Sequence, residues 1–279
     1  MKIVETIQEL RHILKPYREQ TIGFVPTMGF LHNGHMSLVE NARAQCDLVV
    51  MSIFVNPLQF GPGEDFERYP RDFKRDEQLA KEHGVDVLFY PSVEEMYPQK
   101  PAMTVVVHEG VDRLCGRTRP GHFDGVATVV LKLFGMVAPT YAYFGLKDAQ
   151  QVAVIEKLVR DFNIATKVVA CPILREQDGL AQSSRNVNLT DTERKNATCI
   201  YRSLQLGKQT IETGERDAAN IEKMVRQHLE QTTLGQIDYV EMLAFPELAK
   251  REKAEGRLII AVAVQYSKAR LIDNVIIEV

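Results

Sequence analysis

Apolar and polar positions follow two different rhythms along the first two thirds of the chain, and their alternation predicts an architecture. Short β-rich apolar runs at Thr21–Pro26, Asp47–Val55, Asp86–Tyr90, Tyr141–Phe144 and Lys167–Ile173 read as strands. Between them, Gln8–Tyr17, His35–Gln45, Arg71–His83, Gly121–Val137 and Ala149–Phe162 place apolar residues three and four apart, the spacing of one helix face. Strand-then-helix repetition marks βαβ units, because parallel neighbours need a crossover long enough to hold a helix. The expected fold class is therefore α/β, a Rossmann-like, doubly wound parallel sheet.

The rhythm changes after "REQDGLAQSSRNVNL" (Arg175–Leu189). Thr190–Thr213 and Asp217–Thr232 read as two amphipathic helices, the first opened by Thr190 with Glu193 three residues on, a capping-box arrangement. "QIDYVEMLAF", "GRLIIAVAVQY" and "ARLIDNVIIEV" then read as three strands with short connections, most simply a short antiparallel sheet. A break near Glu176 follows from this change. It predicts a domain of residues 1–175 built on the parallel sheet and a smaller C-terminal α+β domain of residues 176–279.

Composition narrows the partners. A net charge of −3 arises from 34 basic and 37 acidic residues spread without a basic tract, so neither nucleic acid nor an anionic membrane is a default partner. Cys46, Cys115, Cys171 and Cys199 are scattered with no Cys-x-x-Cys pair, as expected of reduced thiols in a cytoplasmic protein. Glu5 and Glu9 interrupt what would be the apolar part of a signal peptide, and no apolar stretch reaches membrane-spanning length.

The candidate chemistry sits where strands give way to helices, the place at which open α/β sheets bind ligands. In "VPTMGFLHNGHMSLVENAR" (Val25–Arg43), Gly29 permits a turn and Gly34 lets a ligand approach the backbone. His32 and His35 then share one face at a helix start that favours anions, so both imidazoles can donate to one phosphate. Metal binding by the pair would need a third ligand, and none is local. "FVNPLQF" (Phe54–Phe60) sets an asparagine and a glutamine among apolar residues, which suits a small closed pocket as well as an ordinary loop. "GRTRPGHFDGV" (Gly116–Val126) fits an anion-binding loop and a solvated basic turn equally. "YFGLKDAQQV" (Tyr143–Val152) brings Lys147, Asp148 and Gln151 to a strand end, where ligands are read, while lysine beside aspartate also suits an exposed pair. Two serines and an arginine in "DGLAQSSRN" suit a triphosphate, while an interdomain linker is the plain alternative.

Taken together these motifs are specific. His-Asn-Gly-His at the first strand end with a distant Ser-Ser-Arg loop resembles the HIGH and KMSKS-type pair of the nucleotidyltransferase superfamily. With "FVNPLQF", "YPR", "RPGHFDGVATVV", "GLKDAQQ" and "DGLAQSSRN" in order, the chain resembles the pantoate–β-alanine ligase (pantothenate synthetase) family. The resemblance implies that pantoate and ATP form pantoyl adenylate and pyrophosphate, and that β-alanine then displaces AMP. It implies ATP contacts from Met28, Gly29, Phe30, Leu31, His32, Asn33, Gly34 and His35, with His35 catalytic and His32 its partner. It adds Gly145, Leu146, Lys147, Asp148, Leu174, Gln182, Ser183, Ser184 and Arg185 to the nucleotide site, and gives Gln59 and Gln151 to pantoate. Leu146 stands where some relatives carry glutamate, so only its backbone is expected to matter. Magnesium accompanying ATP, a homodimer and a lid role for the C-terminal domain are likewise implied. Another HIGH-motif nucleotidyltransferase, or a non-catalytic nucleotide-binding module, remains open at this point.

Overall fold

The computed structural model describes residues 1–279. Its strands are β1 (Lys2–Val4), β2 (Ile22–Thr27), β3 (Leu48–Ile53), β4 (Val87–Phe89), β5 (Tyr141–Gly145), β6 (Lys167–Cys171), β7 (Gln236–Ala244), β8 (Arg257–Gln265) and β9 (Arg270–Glu278). The helices are α1 (Ile7–Leu14), α2 (Asn33–Gln45), α3 (Phe73–Glu82), α4 (Val93–Met96), α5 (Leu114–Thr118), α6 (His122–Val137), α7 (Ala149–Asp161), α8 (Asp191–Asn196), α9 (Thr198–Glu212) and α10 (Ala218–Thr232). Two compact units divide them. The first comprises Met1–His108, Arg119–Leu146 and Val154–Pro172; the second comprises Glu109–Thr118, Lys147–Ala153 and Ile173–Val279. The final switch lies close to the compositional break at Glu176. The two short inserts carry no change of rhythm and are invisible to it.

In the first unit six parallel strands lie in the order β1-β4-β3-β2-β5-β6. Every strand read from the pattern is present, within a few residues of its expected ends. Only β1 escaped, being too short to show alternation; it pairs at the edge with β4, Ile3 beside Leu88. Period-two alternation gives the sheet two buried faces. Val25, Val49, Met51, Ile53 and Leu88 meet Met36, Val39 and Ala42 of α2 on one side, while Phe24 meets Phe134 of α6 edge-on at 6.5 Å on the other. From β2 the order runs through β3 to β4 in one direction and through β5 to β6 in the other, so β2 and β5 flank the switch point, where such sheets bind ligands.

The second unit holds the antiparallel sheet β7-β8-β9, with Val240 opposite Val262 and Val262 opposite Asp273. Ile200 and Leu204 of α9 and Ile221, Val225 and Leu229 of α10 share one core with Ile260 and Val262. The single helix expected over Thr190–Thr213 is split into α8 and α9. At the break the Asn196 amide leaves the helix surface to donate to Thr232 O at 2.7 Å, and its oxygen accepts Leu234 N at 2.8 Å.

Candidate active site

The turn leaving β2 is shaped by its backbone. Gly29 (φ +83°) and Phe30 (φ +50°) lie in the left-handed region, and a Cβ on Gly29 would stand 2.9 Å from Ile53 Cγ2. The Asp76 carboxylate of α3 braces the turn, accepting Phe30 N and Leu31 N at 2.7 Å each. Asp76 is almost fully buried, and burial pushes its pKa up against the pull of those amides. It was not among the residues singled out from the sequence. Its signal was a carboxylate on the same helical face as Phe73 and Ala80, in the middle of an apolar stripe.

His32 is the N-cap of α2. Its Nδ1 accepts Gly34 N at 3.1 Å, while His35 Nδ1 accepts His32 N at 3.3 Å, a reciprocal cap with imidazoles in place of the usual hydroxyl and carboxylate. The ring centroids lie 4.0 Å apart. A nitrogen that accepts a backbone N–H carries no proton, so both rings hold theirs on Nε2. Two imidazole donors thus stand side by side at the positive end of a helix, which suits successive oxygens of a phosphate chain.

Gln59 is the second fixed point of the first unit. It is buried in the turn Pro57–Gln59, and its Nε2 donates to Met28 Sδ at 3.3 Å, joining it to the histidine turn. Its backbone carbonyl accepts His122 Nδ1 at 2.7 Å and Arg119 Nη2 at 3.2 Å, and Arg119 also pairs with Glu64. Burial pushes the Glu64 pKa up, but the Arg119 hydrogen bond and charge outweigh it and leave the group below its ordinary value. The basic motif Gly116–Val126 is tied into the protein by its side chains. Arg119 and His122 clamp the Gln59 backbone, and Arg117, in the second unit, pairs with Glu241 at 2.9 Å.

In the second unit Lys147 Nζ lies 3.2 Å from Asp148 Oδ2 in the turn entering α7, and Gln151 follows on its first turn. Neighbouring Gln150 faces inward, donating to Gly110 O and Arg113 O at 2.8 Å each. Leu174, Gln182, Ser183, Ser184 and Arg185 belong to one polar segment. It folds back on itself, with Gln182 N on Leu174 O and Glu176 N on Leu180 O. Ser183 caps the turn Ser184–Asn188 by accepting Arg185 N at 3.3 Å. Leu180 and Ala181 of the segment are buried, and Leu180 joins the core shared with α9 and β8.

Arg175, within the segment, ties it to β9. It grips Asp273 through two hydrogen bonds at 2.6 and 2.9 Å, donates to Gly179 O, and stacks 3.8 Å from the Tyr201 ring centroid. Asn274, next to Asp273, donates to Lys147 O at 3.2 Å and gives its own carbonyl to Arg175 Nη2. Two neighbouring residues of β9 thereby bring the Lys147 turn and the Ser-Ser-Arg segment to one strand. No motif pointed to them, because the partners lie about a hundred positions apart. No group of three or more His, Cys, Asp and Glu side chains gathers to hold a metal, and no helix is long and apolar enough to cross a membrane.

The chain is similar to known proteins along its whole length. The family model described as pantoate-beta-alanine ligase matches residues 2–276. A pantothenate synthetase of Bacillus pumilus is 57% identical over 281 residues, covering 100% of this chain and 97% of that protein; one of Geobacillus kaustophilus is 54% identical over 280 residues, covering 100% and 93%. The solved pantothenate synthetase of Thermus thermophilus aligns with a TM-score of 0.94 at 45% identity, covering 99% of both chains. The Francisella tularensis pantoate-beta-alanine ligase, solved with beta-gamma ATP and beta-alanine, aligns with a TM-score of 0.81 at 37% identity, covering 99% of this chain and 97% of that one.

Proposed function

The chain belongs to the pantoate–β-alanine ligase family, and from that premise we propose how its residues divide the reaction. The activity is the ATP-dependent ligation of pantoate with β-alanine. In our reading it proceeds in two displacements. The pantoate carboxylate attacks the α-phosphorus of ATP and pyrophosphate leaves. The β-alanine amine then attacks the acyl carbon of pantoyl adenylate, AMP leaves with the acyl C–O bonding pair, and the amine gives up a proton.

Neither step needs a side-chain nucleophile, because the substrates supply both. The protein's task is to bring two anions together and to stabilise charge on phosphoryl oxygens. His32 and His35 donate from Nε2 to the phosphates, His35 at the transferring group. The observation that carries this is the reciprocal Nδ1 capping, which presents both donors before substrate arrives. Met28–His35 line the ATP path in the first unit. Gly145 and Leu146 contribute backbone, and Lys147, Asp148, Leu174 and Gln182–Arg185 supply the remaining nucleotide contacts. Gln59 and Gln151 read the polar groups of pantoate.

Magnesium enters this reading as part of the ATP substrate. The second unit serves as the lid that keeps water from the acyl adenylate, which would otherwise hydrolyse. The family resemblance supports a homodimer, and the scattered buried thiols a cytoplasmic setting.

Pyrophosphate release tests the whole reading. It should require pantoate and stay at background with other carboxylic acids or with phosphorylated alcohols. Release that ignores the acid supplied would contradict it.

A further inference from the structure

The turn carrying Gln59 contains a chain of amides whose orientations are dictated one by one. Asn56 is 1% exposed. Its Nδ2 lies 3.1 Å from Gly125 O, a carbonyl that can only accept, and its Oδ1 lies 3.4 Å from Leu58 N, which can only donate. The approach of α6 that brings this carbonyl is unusually close. A Cβ at Gly125 would sit 2.3 Å from Leu58 O, so only glycine allows it. With the Asn56 amide set in this sense, the second hydrogen of Nδ2 points at Gln59, 3.2 Å away, which must answer with Oε1. The remaining end of Gln59, Nε2, is then turned toward Met28, where a thioether is its only hydrogen-bond acceptor.

Tyr97 closes the chain. Its hydroxyl donates to Asn56 Oδ1 at 2.9 Å, the shorter of the two bonds to that oxygen. Burial pushes the Tyr97 pKa up, so the group stays a neutral donor throughout the working pH range. Its ring is seated against Phe54 at 6.0 Å and beneath Lys132 Nζ at 5.1 Å.

We propose that Tyr97 is a positioning residue for pantoate recognition: acting through Asn56, it locks Gln59 so that a donor, never an acceptor, faces the acid substrate. The inference rests on the reading that Gln59 meets pantoate, and it deepens it. Gln59 then selects for a lone pair, on a carboxylate or hydroxyl oxygen, and a substrate group offering only a hydrogen is refused.

Three variants separate the layers. Gln59→Ala should raise the KM for pantoate with little change in that for ATP. Gln59→Glu keeps the shape and still satisfies Asn56, but turns a carboxylate oxygen toward the substrate. It should lose roughly a hundredfold in kcat/KM for pantoate and be no better than Gln59→Ala. Tyr97→Phe should raise the pantoate KM by about three- to tenfold while ATP KM and kcat hold, the scale of one hydrogen bond. Gln59→Glu outperforming Gln59→Ala would overturn the donor orientation while sparing the Gln59 reading. An unchanged pantoate KM in Tyr97→Phe, or equal rises for both substrates, would overturn the role of Tyr97. A silent Gln59→Ala would bring down the reading of Gln59 itself, and the inference with it.

Discussion

The histidine turn of the first unit and the serine–arginine segment of the second both present polar groups at the end of a parallel strand, yet they are held in opposite ways. His32 and His35 are fixed mainly by their own neighbours. Each imidazole accepts a backbone N–H from within three residues, and the Asp76 carboxylate braces the turn just before them. Ser183, Ser184 and Arg185 lie on a segment tied to partners far along the chain, Arg175 to Asp273 and Leu180 to the core of α9 and β8. Local fixation presets donor direction and proton position before a ligand binds. Fixation from far along the chain sets where the segment lies, and a Ser183-capped turn shapes its tip.

The largest effect expected from breaking this contrast is on the remote anchor. Asp273→Ala strands the Arg175 guanidinium, whose side chain is only 17% exposed, and should cost about 3–5 kcal/mol of stability. Thermal or denaturant unfolding measures it. A loss under 1 kcal/mol would mean that the segment is held by Leu180 packing alone.

The matching change in the first unit is Asp76→Asn. It keeps one acceptor for Phe30 N or Leu31 N and sets an N–H against the other, for a loss of about 1–3 kcal/mol. Because the turn carries His32, the adenylation rate should fall beyond what unfolding explains. A variant equally destabilised but fully active at low temperature would separate the brace from the histidines.

The legibility of the two sites follows the same division. The β2–α2 turn was readable because its determinants, glycines and capping side chains, lie within ten residues of each other. The capping box at Thr190 and Glu193 was readable for the same reason, and its hydrogen bonds are present. Asn56 was noticed only as one amide of an apolar loop, and Asp76, Tyr97, Arg175 and Asp273 were not singled out. Their partners are set by the sheet order or by α6 crossing the Pro57–Gln59 turn, and periodicity carries no record of either. Arg119 and His122 were noticed but not understood, since their target is a backbone carbonyl sixty positions away. The α8–α9 break was missed because Asn196 bonds across to the end of α10.

The smallest effect concerns that readable capping box. Glu193 accepts Thr190 N and Ser267 N, which hold its pKa near about 2 against an ordinary 4.5. A depressed carboxyl stabilises the fold above its unfolded value, and that contribution fades as pH falls from about 4.5 toward 2. Glu193→Gln should therefore lower the melting temperature slightly at neutral pH and converge with the parent protein at the acid end. A difference that grows on acidification would reverse the sign and refute the assignment.

The central claim is that preset imidazole donors, with no side-chain nucleophile, carry the first displacement. Single-turnover measurement of both half-reactions in His35→Ala tests it most directly. The account predicts that formation of pantoyl adenylate from ATP and pantoate falls about a hundredfold or more, the scale of losing one preorganised donor. Capture of supplied pantoyl adenylate by β-alanine should change far less, because no pyrophosphate is then leaving. Equal losses in the two halves, or near-normal adenylation, would contradict it.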